Sequence, residues 1–582
     1  MLQGRASFQK FRTRLAVVVI TCLPGLAIAA THCPYYEEGR KQIYWGDLHA
    51  HSGYSLDAWG YGTTATPADA YRFGQGEALR MYDGVEVQLA RPLDFMAVTD
   101  HAEWFNLLHI CTDPVWSEAP YCKTMTEKNS PATGTEVFGE YVIPTITKAN
   151  PVQPALCEQD PAYCADMQAQ QWRRIQVQGN AANDPCHFTA FLGFEWSATP
   201  GFSHNHRNVI FANDQVTAEA IDYLRFPSPE KLWSALDRQC REEEGCKAIA
   251  IPHNTNMGDG KSFDVETESA DILAMRARYE TLVEVHQQKG NSECLPAFAS
   301  NDEECNFELY LTKNSVPTGR DGYDEGEWER MRSGYVRGLL LRGIQVYEQS
   351  GRQSNPLLLG MIGSTDNHAG TGGFVDEAQW RGSVFGIGDL DRTLSRLTFN
   401  PGGLVAVWAE ENTRASIFSA LQRREVFATS GPRMRLRVLM SERPLTCTEA
   451  VADPSERESH AMGAQVKALG GGPYFRVQAQ FDRTPLQAIE MVKGALVEGA
   501  ARERVERIWH QDSGGLDVCV TWRDAEFDHE NPAFWYVRVL EAPSPRWSAY
   551  RCRAADRCDE FPDAYVTIQE RAWSSPIWYL PD

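Results

Sequence analysis

The 582-residue sequence lacks several motifs by which enzymes bind nucleotides or present a nucleophile. It has no G-x-S-x-G elbow, no P-loop and no G-x-G-x-x-G order, so neither a side-chain nucleophile of that type nor a nucleotide fingerprint is expected. No C-x-x-C occurs, which argues against zinc ribbons and thioredoxin-like redox sites. Internal repeats and low-complexity stretches are also absent.

Basic residues are scarce. The chain has 56 Lys and Arg against 78 Asp and Glu, for a formal net charge of −22. Nucleic acids and anionic lipids are bound through basic patches, so neither is expected as the main partner.

An apolar run long enough to cross a bilayer occurs nowhere after the first 30 residues. Residues 1–30 resemble a bacterial signal peptide: four basic residues precede the apolar stretch 15–29, and Ala27-Ile28-Ala29 suits signal peptidase. A retained anchor is the alternative, which Pro24-Gly25 disfavours because it interrupts the run. We therefore expect export to the periplasm or beyond, with no membrane anchor after cleavage and a charge that changes from −22 to −26.

Fourteen of the 15 cysteines lie beyond this leader. In an exported protein, cysteines that are close in sequence indicate disulfides that close short loops. The expected pairs are Cys111 and Cys122, Cys157 and Cys164, Cys240 and Cys246, Cys294 and Cys305, and Cys552 and Cys558. The partners of Cys33, Cys186, Cys447 and Cys519 stay open.

Seven short apolar runs are each followed by polar residues, most of them able to bind a metal. They span 43–48, 93–99, 188–194, 247–252, 281–285, 357–365 and 403–408. Runs without alternation are typical of strands buried under helices, and the segments 67–73, 228–240, 264–279 and 325–349 are predicted helices. The pattern predicts an α/β fold of the β/α barrel type, in which functional residues gather at the C-terminal strand ends.

The residues at or beside these strand ends form a candidate metal-ligand set. His49 and His51 form an H-x-H whose side chains point to one side of an extended chain. Imidazole and carboxylate ligands suit zinc, iron or manganese, and nine of them are enough for two or three ions. The set is His49, His51, Asp57, His101, Glu195, His253, His286, Asp366 and His368.

In order, these residues resemble the site of the PHP (polymerase and histidinol phosphatase) superfamily, and in particular a large secreted branch with an uncharacterised domain. The resemblance covers about residues 40–430 and rests on Asp47 to Ser52, Thr99 to His101, Glu195, His253, His286 and Asp366 to His368. It implies a distorted seven-stranded, TIM-like barrel, a site with up to three zinc, manganese or iron ions, and phosphoester hydrolysis. Asp57 stands where some members have histidine, and Asp47 and Asp100 are its rivals.

The groups that hold a substrate are harder to assign. The segment 203–208 follows Glu195 and adds polar donors, among which Arg207 is the predicted phosphate clamp and His206 the predicted donor to the leaving group. An ordinary surface loop is the alternative interpretation. The insertion 106–185, rich in cysteine and proline, is predicted to lie over the site as a lid.

From residue 432 onwards, apolar and polar residues alternate, which is typical of antiparallel strands with one wet face. We expect a barrel over 31–431 and a β-sandwich over 432–582. The aromatic residues Trp535, Tyr536, Trp547, Trp573, Trp578 and Tyr579 favour core packing over sugar stacking.

The preferred function is a metal-dependent phosphoesterase acting on a small phosphorylated molecule, with a metal-bridging hydroxide as the attacking group. Mono- and diesterase activity stay open, as does the oligomeric state. The alternatives are an amidohydrolase-type enzyme acting on C–N or C–O bonds, and a binding protein whose metals are structural.

Overall fold

The computed structural model of the chain describes residues 32–111, 117–127, 130, 136, 138–151, 155–298, 303–311, 322–383, 387–447, 459–562 and 565–582. The predicted signal peptide, 1–30, lies outside the described residues.

The first twelve strands include all seven apolar runs of the sequence. They are β1 (Gln42–Asp47), β2 (Leu79–Arg80), β3 (Glu86–Val87), β4 (Phe95–Val98), β5 (Thr189–Ala198), β6 (Asn205–Phe211), β7 (Ala248–His253), β8 (Leu282–Gln287), β9 (Gly290–Asn291), β10 (Gly360–Gly363), β11 (Leu404–Ala409) and β12 (Val426–Thr429).

Helices connect these strands, and several begin at a side chain that caps the first turn. The N-cap residues Thr66, Ser228 and Ser269 each accept a hydrogen bond from a backbone N–H of the helix that follows. The α-helices are Leu56–Gly60, Pro67–Gly74, Phe105–Ile110, Pro120–Glu127, Ile143–Ile146, Ala155–Gln159, Pro161–Ala182, Pro229–Gln239, Ala270–Tyr279, Glu325–Gly334, Val336–Gln349, Leu390–Leu394, Arg414–Gln422 and Trp547–Ala555.

The central sheet is mixed, not parallel throughout. Its order through this half of the chain is β12-β11-β1-β4-β5-β6-β7. The pairs β1–β4 and β4–β5 are parallel, whereas β1–β11, β5–β6 and β6–β7 are antiparallel. The fold is therefore α/β, as predicted, with β6 as a strand where the sequence analysis expected a loop or rim.

A closed barrel is not confirmed. The strands β8 and β10 pair with each other in a separate sheet with β9, and none of the sheets in the described part of the chain closes on itself. The end of β10 nevertheless lies against the central sheet, because Gly403 N donates to Ser364 O at 2.7 Å.

The C-terminal part contains twelve more strands: β13 (Arg435–Ser441), β14 (His460–Ala461), β15 (Gln465–Val466), β16 (Tyr474–Gln480), β17 (Leu486–Val497), β18 (Ala500–Gly515), β19 (Asp517–Arg523), β20 (Ala533–Glu541), β21 (Ser544–Pro545), β22 (Thr567–Ile568), β23 (Arg571–Ser574) and β24 (Ile577–Tyr579). The ladders within β14-β13-β16-β19 and between β17, β18 and β20 are antiparallel.

The central sheet continues into the C-terminal part of the chain. β12 pairs with β23, which also pairs with β20, so hydrogen bonds cross the predicted division at residue 431. The six aromatic residues of the predicted cluster are all buried. The division into a 31–431 and a 432–582 domain stays a prediction.

The described residues form seven disulfides. The five short-range pairs predicted from the sequence form, and the open cysteines pair as Cys33–Cys186 and Cys447–Cys519. None of the described helices combines the length and apolar character needed to span a membrane.

Candidate metal centre

The ends of neighbouring strands bring predicted ligands together in one buried cluster. Glu195, near the end of β5, lies at its middle, with no more than 1% of its side chain exposed. Its carboxylate oxygens lie close to five imidazoles: 2.7 Å from His206, 3.1 Å from His253, 3.3 Å from His49 and His51, and 3.4 Å from His101.

Two further carboxylates complete the cluster. Asp366 Oδ1 lies 3.2 Å from His49 Nε2 and 3.1 Å from His51 Nε2. Asp57 Oδ2 lies 3.2 Å from His101 Nε2 and 3.0 Å from His368 Nε2. Asp57, the ligand for which the sequence offered two rivals, thus lies between two predicted histidines.

Three overlapping groups could each hold an ion, since their ligand atoms lie within 4.8 Å of one another: His51, His101 and His368; His49, Glu195 and His253; and His49, His51 and Asp366. His49 Nε2 and Glu195 Oε2 are buried and have no hydrogen-bond partner in the described structure. Buried polar atoms normally have partners, so these atoms fit an ion that binds both. The nitrogen and oxygen donors suit zinc, manganese or iron.

Mutual electrostatics determine the protonation of the cluster. Burial alone would raise the pKa of Glu195, but His101 and His253 outweigh it and hold that pKa well below its ordinary value. Burial would lower the pKa of His101, yet Glu195 and Asp57 raise it to about 10. The pKa of His51 is lowered, mainly by burial and by His368. The cluster therefore keeps its carboxylates charged, as metal ligands must be.

Other carboxylates position the ligands. Asp47 accepts hydrogen bonds from the Thr365 hydroxyl and from Gly373 N, and Asp100 accepts from Ser52 and Ser55. Both candidate rivals of Asp57 are thus used to join the loops that carry the ligands.

Glu284 is a partner that the sequence analysis missed. Its Oε2 lies 3.0 Å from His49 Nδ1, on the side of the ring away from Glu195. A carboxylate on the second nitrogen fixes the orientation of a ligating imidazole. A signal was present, because Glu284 is a lone acidic residue within the apolar run of β8.

His286 lies apart from the cluster, which corrects its prediction as a ligand. Its ring centroid is 5.5 Å from Phe307 and 5.8 Å from Trp573, and burial with the nearby Arg571 lowers its pKa to about 3. The pairing of β8 with β10 shifts register at Gly363, opposite His286. Such a shift changes the direction of side chains that simple alternation would place together.

The two predicted substrate-binding residues lie on opposite faces of β6. His206 is in the cluster: its Nδ1 is 2.7 Å from Glu195 and its Nε2 is 2.7 Å from Thr199 Oγ1. Arg207 points away and is completely buried, with its Nε donating to Glu280 at 2.8 Å. Arg207 is therefore not placed to clamp a phosphate, because alternate residues of a strand face opposite sides.

A family model with the description "Protein of unknown function (DUF3604)" matches residues 38–512 and 505–581. The chain belongs to this family. The DUF3604 match covers the whole ligand cluster and all of the described C-terminal strands.

Other comparisons add little to the DUF3604 assignment. A search of curated proteins finds no match. A solved structure from Bacteroides vulgatus, described as a two-domain protein containing a predicted PHP-like metal-dependent phosphoesterase, is 12% identical and covers 85% of this chain and 100% of its own. Its TM-score is 0.29.

Proposed function

We propose that the chain is an exported, metal-dependent phosphoesterase. The observation that carries the proposal is the buried cluster around Glu195, where imidazole nitrogens and carboxylate oxygens approach one another and two of these atoms have no hydrogen-bond partner among the residues that the structure describes. The order of the ligands along the chain, which resembles that of the PHP superfamily, adds the reaction class.

Two or three ions would be held by two halves of the cluster. His49, Glu195, His253 and Asp366 form one half, and His51, His101, His368 and Asp57 form the other. Bound divalent ions would supply activation of water and stabilisation of the negative charge on the phosphoryl and leaving-group oxygens. The protein fixes the ligands through Glu284 on His49 and His206 on Glu195, so little reorganisation is needed.

The predicted lid remains part of the proposal. The 106–185 insertion contacts the segment just beyond β5, where Thr199 N donates to Ile146 O at 3.0 Å and Gly201 N donates to Thr147 O at 2.8 Å. These contacts support a location beside the strand ends that carry the cluster. Seven disulfides support an oxidising compartment outside the cytoplasm.

A barrel-like arrangement is proposed for the strands that carry the ligands. The β8–β10 pair lies against β11 and β12, since a Cβ on Gly363 would meet Thr429 O at 2.7 Å and Leu404 O at 2.9 Å. At the other side, Gln287 at the end of β8 donates a hydrogen bond to Asn254, just after β7. Packing, and not a hydrogen-bonded ladder, would complete the ring.

The test combines metal counting with hydrolysis. Protein purified with its own metals is analysed by mass spectrometry and assayed on p-nitrophenyl phosphate, bis-p-nitrophenyl phosphate and a carboxylic ester. A His49→Ala/His51→Ala variant should lose most of its metal and at least about 1000-fold of its phosphoesterase activity. The control is His187→Ala/His510→Ala, which removes two exposed histidines outside the cluster.

Two outcomes would count against the proposal. Metals without turnover of either phosphoester would favour hydrolysis of C–N or C–O bonds instead. Less than one metal per chain in the wild-type protein would remove the basis of the assignment.

A further inference from the structure

With Arg207 buried on the far side of β6, a side chain that holds the substrate beside the proposed metal ions has to come from elsewhere in the chain. Among the residues that the structure describes, Lys289 is the one lysine or arginine whose charged group contacts a carboxylate of the candidate ligand set. Its Nζ meets Oδ2 of Asp366. The other oxygen, Oδ1, faces His49 and His51. One oxygen of this carboxylate thus pairs with the ammonium group, and the other lies among the candidate metal ligands.

The backbone holds Lys289 in place. It lies in the tight turn between β8 and β9, where Gly290 has a φ of +90° and a Cβ would meet Glu308 O at 2.2 Å. Asn256 Nδ2 donates to Lys289 O at 2.8 Å, and the neighbouring Gln288 donates to Asp366 O. The ammonium group is thus fixed beside the cluster, not carried on a free surface loop.

The surroundings of Lys289 leave it open to an added anion. Its side chain is 17% exposed, whereas that of Asp366 is 2% exposed. A further polar group lies near Glu195: His204, whose ring centroid is 4.8 Å from that of His206, has a buried Nδ1 that makes no hydrogen bond within the described residues.

We propose that Lys289 binds a terminal phosphate oxygen of the substrate and that the substrate is a phosphomonoester dianion. The inference rests on the proposed function. A monoester has one more terminal oxygen and one more negative charge than a diester, and the fixed ammonium supplies a donor and a charge for that oxygen. A diester would leave Lys289 with Asp366 alone.

The test compares Lys289→Met, which removes the charge, with Lys289→Arg, which keeps it. The matched control is Lys261→Met, since Lys261 also pairs with an aspartate, Asp259, but outside the cluster. Each protein is assayed on p-nitrophenyl phosphate and bis-p-nitrophenyl phosphate, and its metal content is measured. We expect Lys289→Met to keep its metals and to lose about 100-fold in kcat/KM on the monoester, but less than about threefold on the diester. Lys289→Arg should recover part of the loss.

Phosphate binding gives a readout that does not depend on turnover. Inorganic phosphate should raise the Tm of the wild-type and Lys261→Met proteins and have no effect on Lys289→Met. Equal losses on both esters, or a phosphate-induced rise that persists in Lys289→Met, would overturn the assignment of Lys289. If the wild-type protein hydrolyses neither ester, the proposed function fails, and the phosphate-binding comparison still decides whether Lys289 is an anion site.

Discussion

Glu195 and Glu293 are both buried glutamates, and their surroundings differ in kind. Glu293 accepts hydrogen bonds from Arg337 at 2.7 Å, Tyr536 at 2.6 Å, Arg538 at 3.0 Å and Trp573 at 2.7 Å. These donors satisfy the carboxylate from within the chain. Glu195 is surrounded mainly by imidazoles, and its Oε2 has no hydrogen-bond partner in the described part of the chain.

This difference distinguishes a carboxylate that stabilises the fold from one that can bind a metal. The Glu293 group joins the segment after β9 to the helix Val336–Gln349 and to β20 and β23, so it holds the two parts of the chain together. An arginine keeps its proton under all ordinary conditions, whereas a histidine can lose it and bind a metal. We therefore interpret a buried carboxylate surrounded by histidines as a metal ligand, and one surrounded by arginines as part of the internal packing of the fold.

The largest effect is expected from Glu195→Gln. The amide keeps the shape but removes the charge shared among the ligands, so the variant should lose its metal and at least about 1000-fold of its activity. Without metal, its free energy of unfolding should stay within about 1 kcal/mol of the metal-free wild type, because the imidazoles can become neutral. Metal analysis, assays and urea denaturation in EDTA check the prediction. Full activity in the variant would remove Glu195 from the site.

Glu293→Gln should destabilise the fold and leave metal binding intact. The variant removes the carboxylate that Arg337 and Arg538 share. Arg538 keeps Glu490 at 2.7 Å, but Arg337 is left buried and charged with Glu503 no nearer than 3.7 Å, which costs about 3–5 kcal/mol. Its folded fraction should bind as much metal per chain as the wild type, because Glu293 contacts none of the ligands. Urea denaturation and metal analysis at low temperature measure both quantities. A loss of metal from folded protein would show that the two regions are coupled.

The sequence predicted most of the ligand cluster. The features that it did not predict depend on pairing between strands that are far apart in the chain. Eight of the nine ligand candidates lie in the cluster because a local signal, an apolar run followed by a polar residue, marks each strand end. His286 was misplaced because the register shift is set by β10, which is more than 70 residues away in the chain. The surroundings of Glu293 also depend on distant residues, because its two arginine partners, Arg337 and Arg538, come from two other segments of the chain.

The segment of Arg207 shows a different limit. Its alternation of cluster-facing His206 with buried Arg207 has the period of a strand, but this polar segment was not among the predicted strands. Whether the central strands form a closed barrel also depends on ladders that no local pattern encodes. The sequence thus predicted which residues meet more reliably than how the sheet connects.

Removal of the metal by a chelator should lower the unfolding free energy only of proteins that keep the metal site around Glu195. A ligand that binds only the folded state stabilises it, and ions held at about 100 times their Kd contribute about 3 kcal/mol. EDTA should therefore lower the unfolding free energy of the wild type and of Glu293→Gln by the same amount, and leave Glu195→Gln unchanged. Thermal or urea denaturation with and without EDTA provides the three differences. A response to EDTA in Glu195→Gln would mean that the metal is bound elsewhere.

The smallest effect is a difference in acid stability. Burial would raise the pKa of Glu293, but Arg538 and Arg337 outweigh it and lower that pKa below the ordinary value of 4.5. A lowered folded-state pKa stabilises the protein above the unfolded value, and this contribution is lost as the pH falls below about 4.5. The stability advantage of the wild type over Glu293→Gln should therefore shrink by about 2 kcal/mol between pH 5 and pH 3. Urea denaturation in EDTA measures it, with Glu38→Gln as the exposed control, and an advantage that does not change with pH would show that Glu293 stabilises by shape and not by charge.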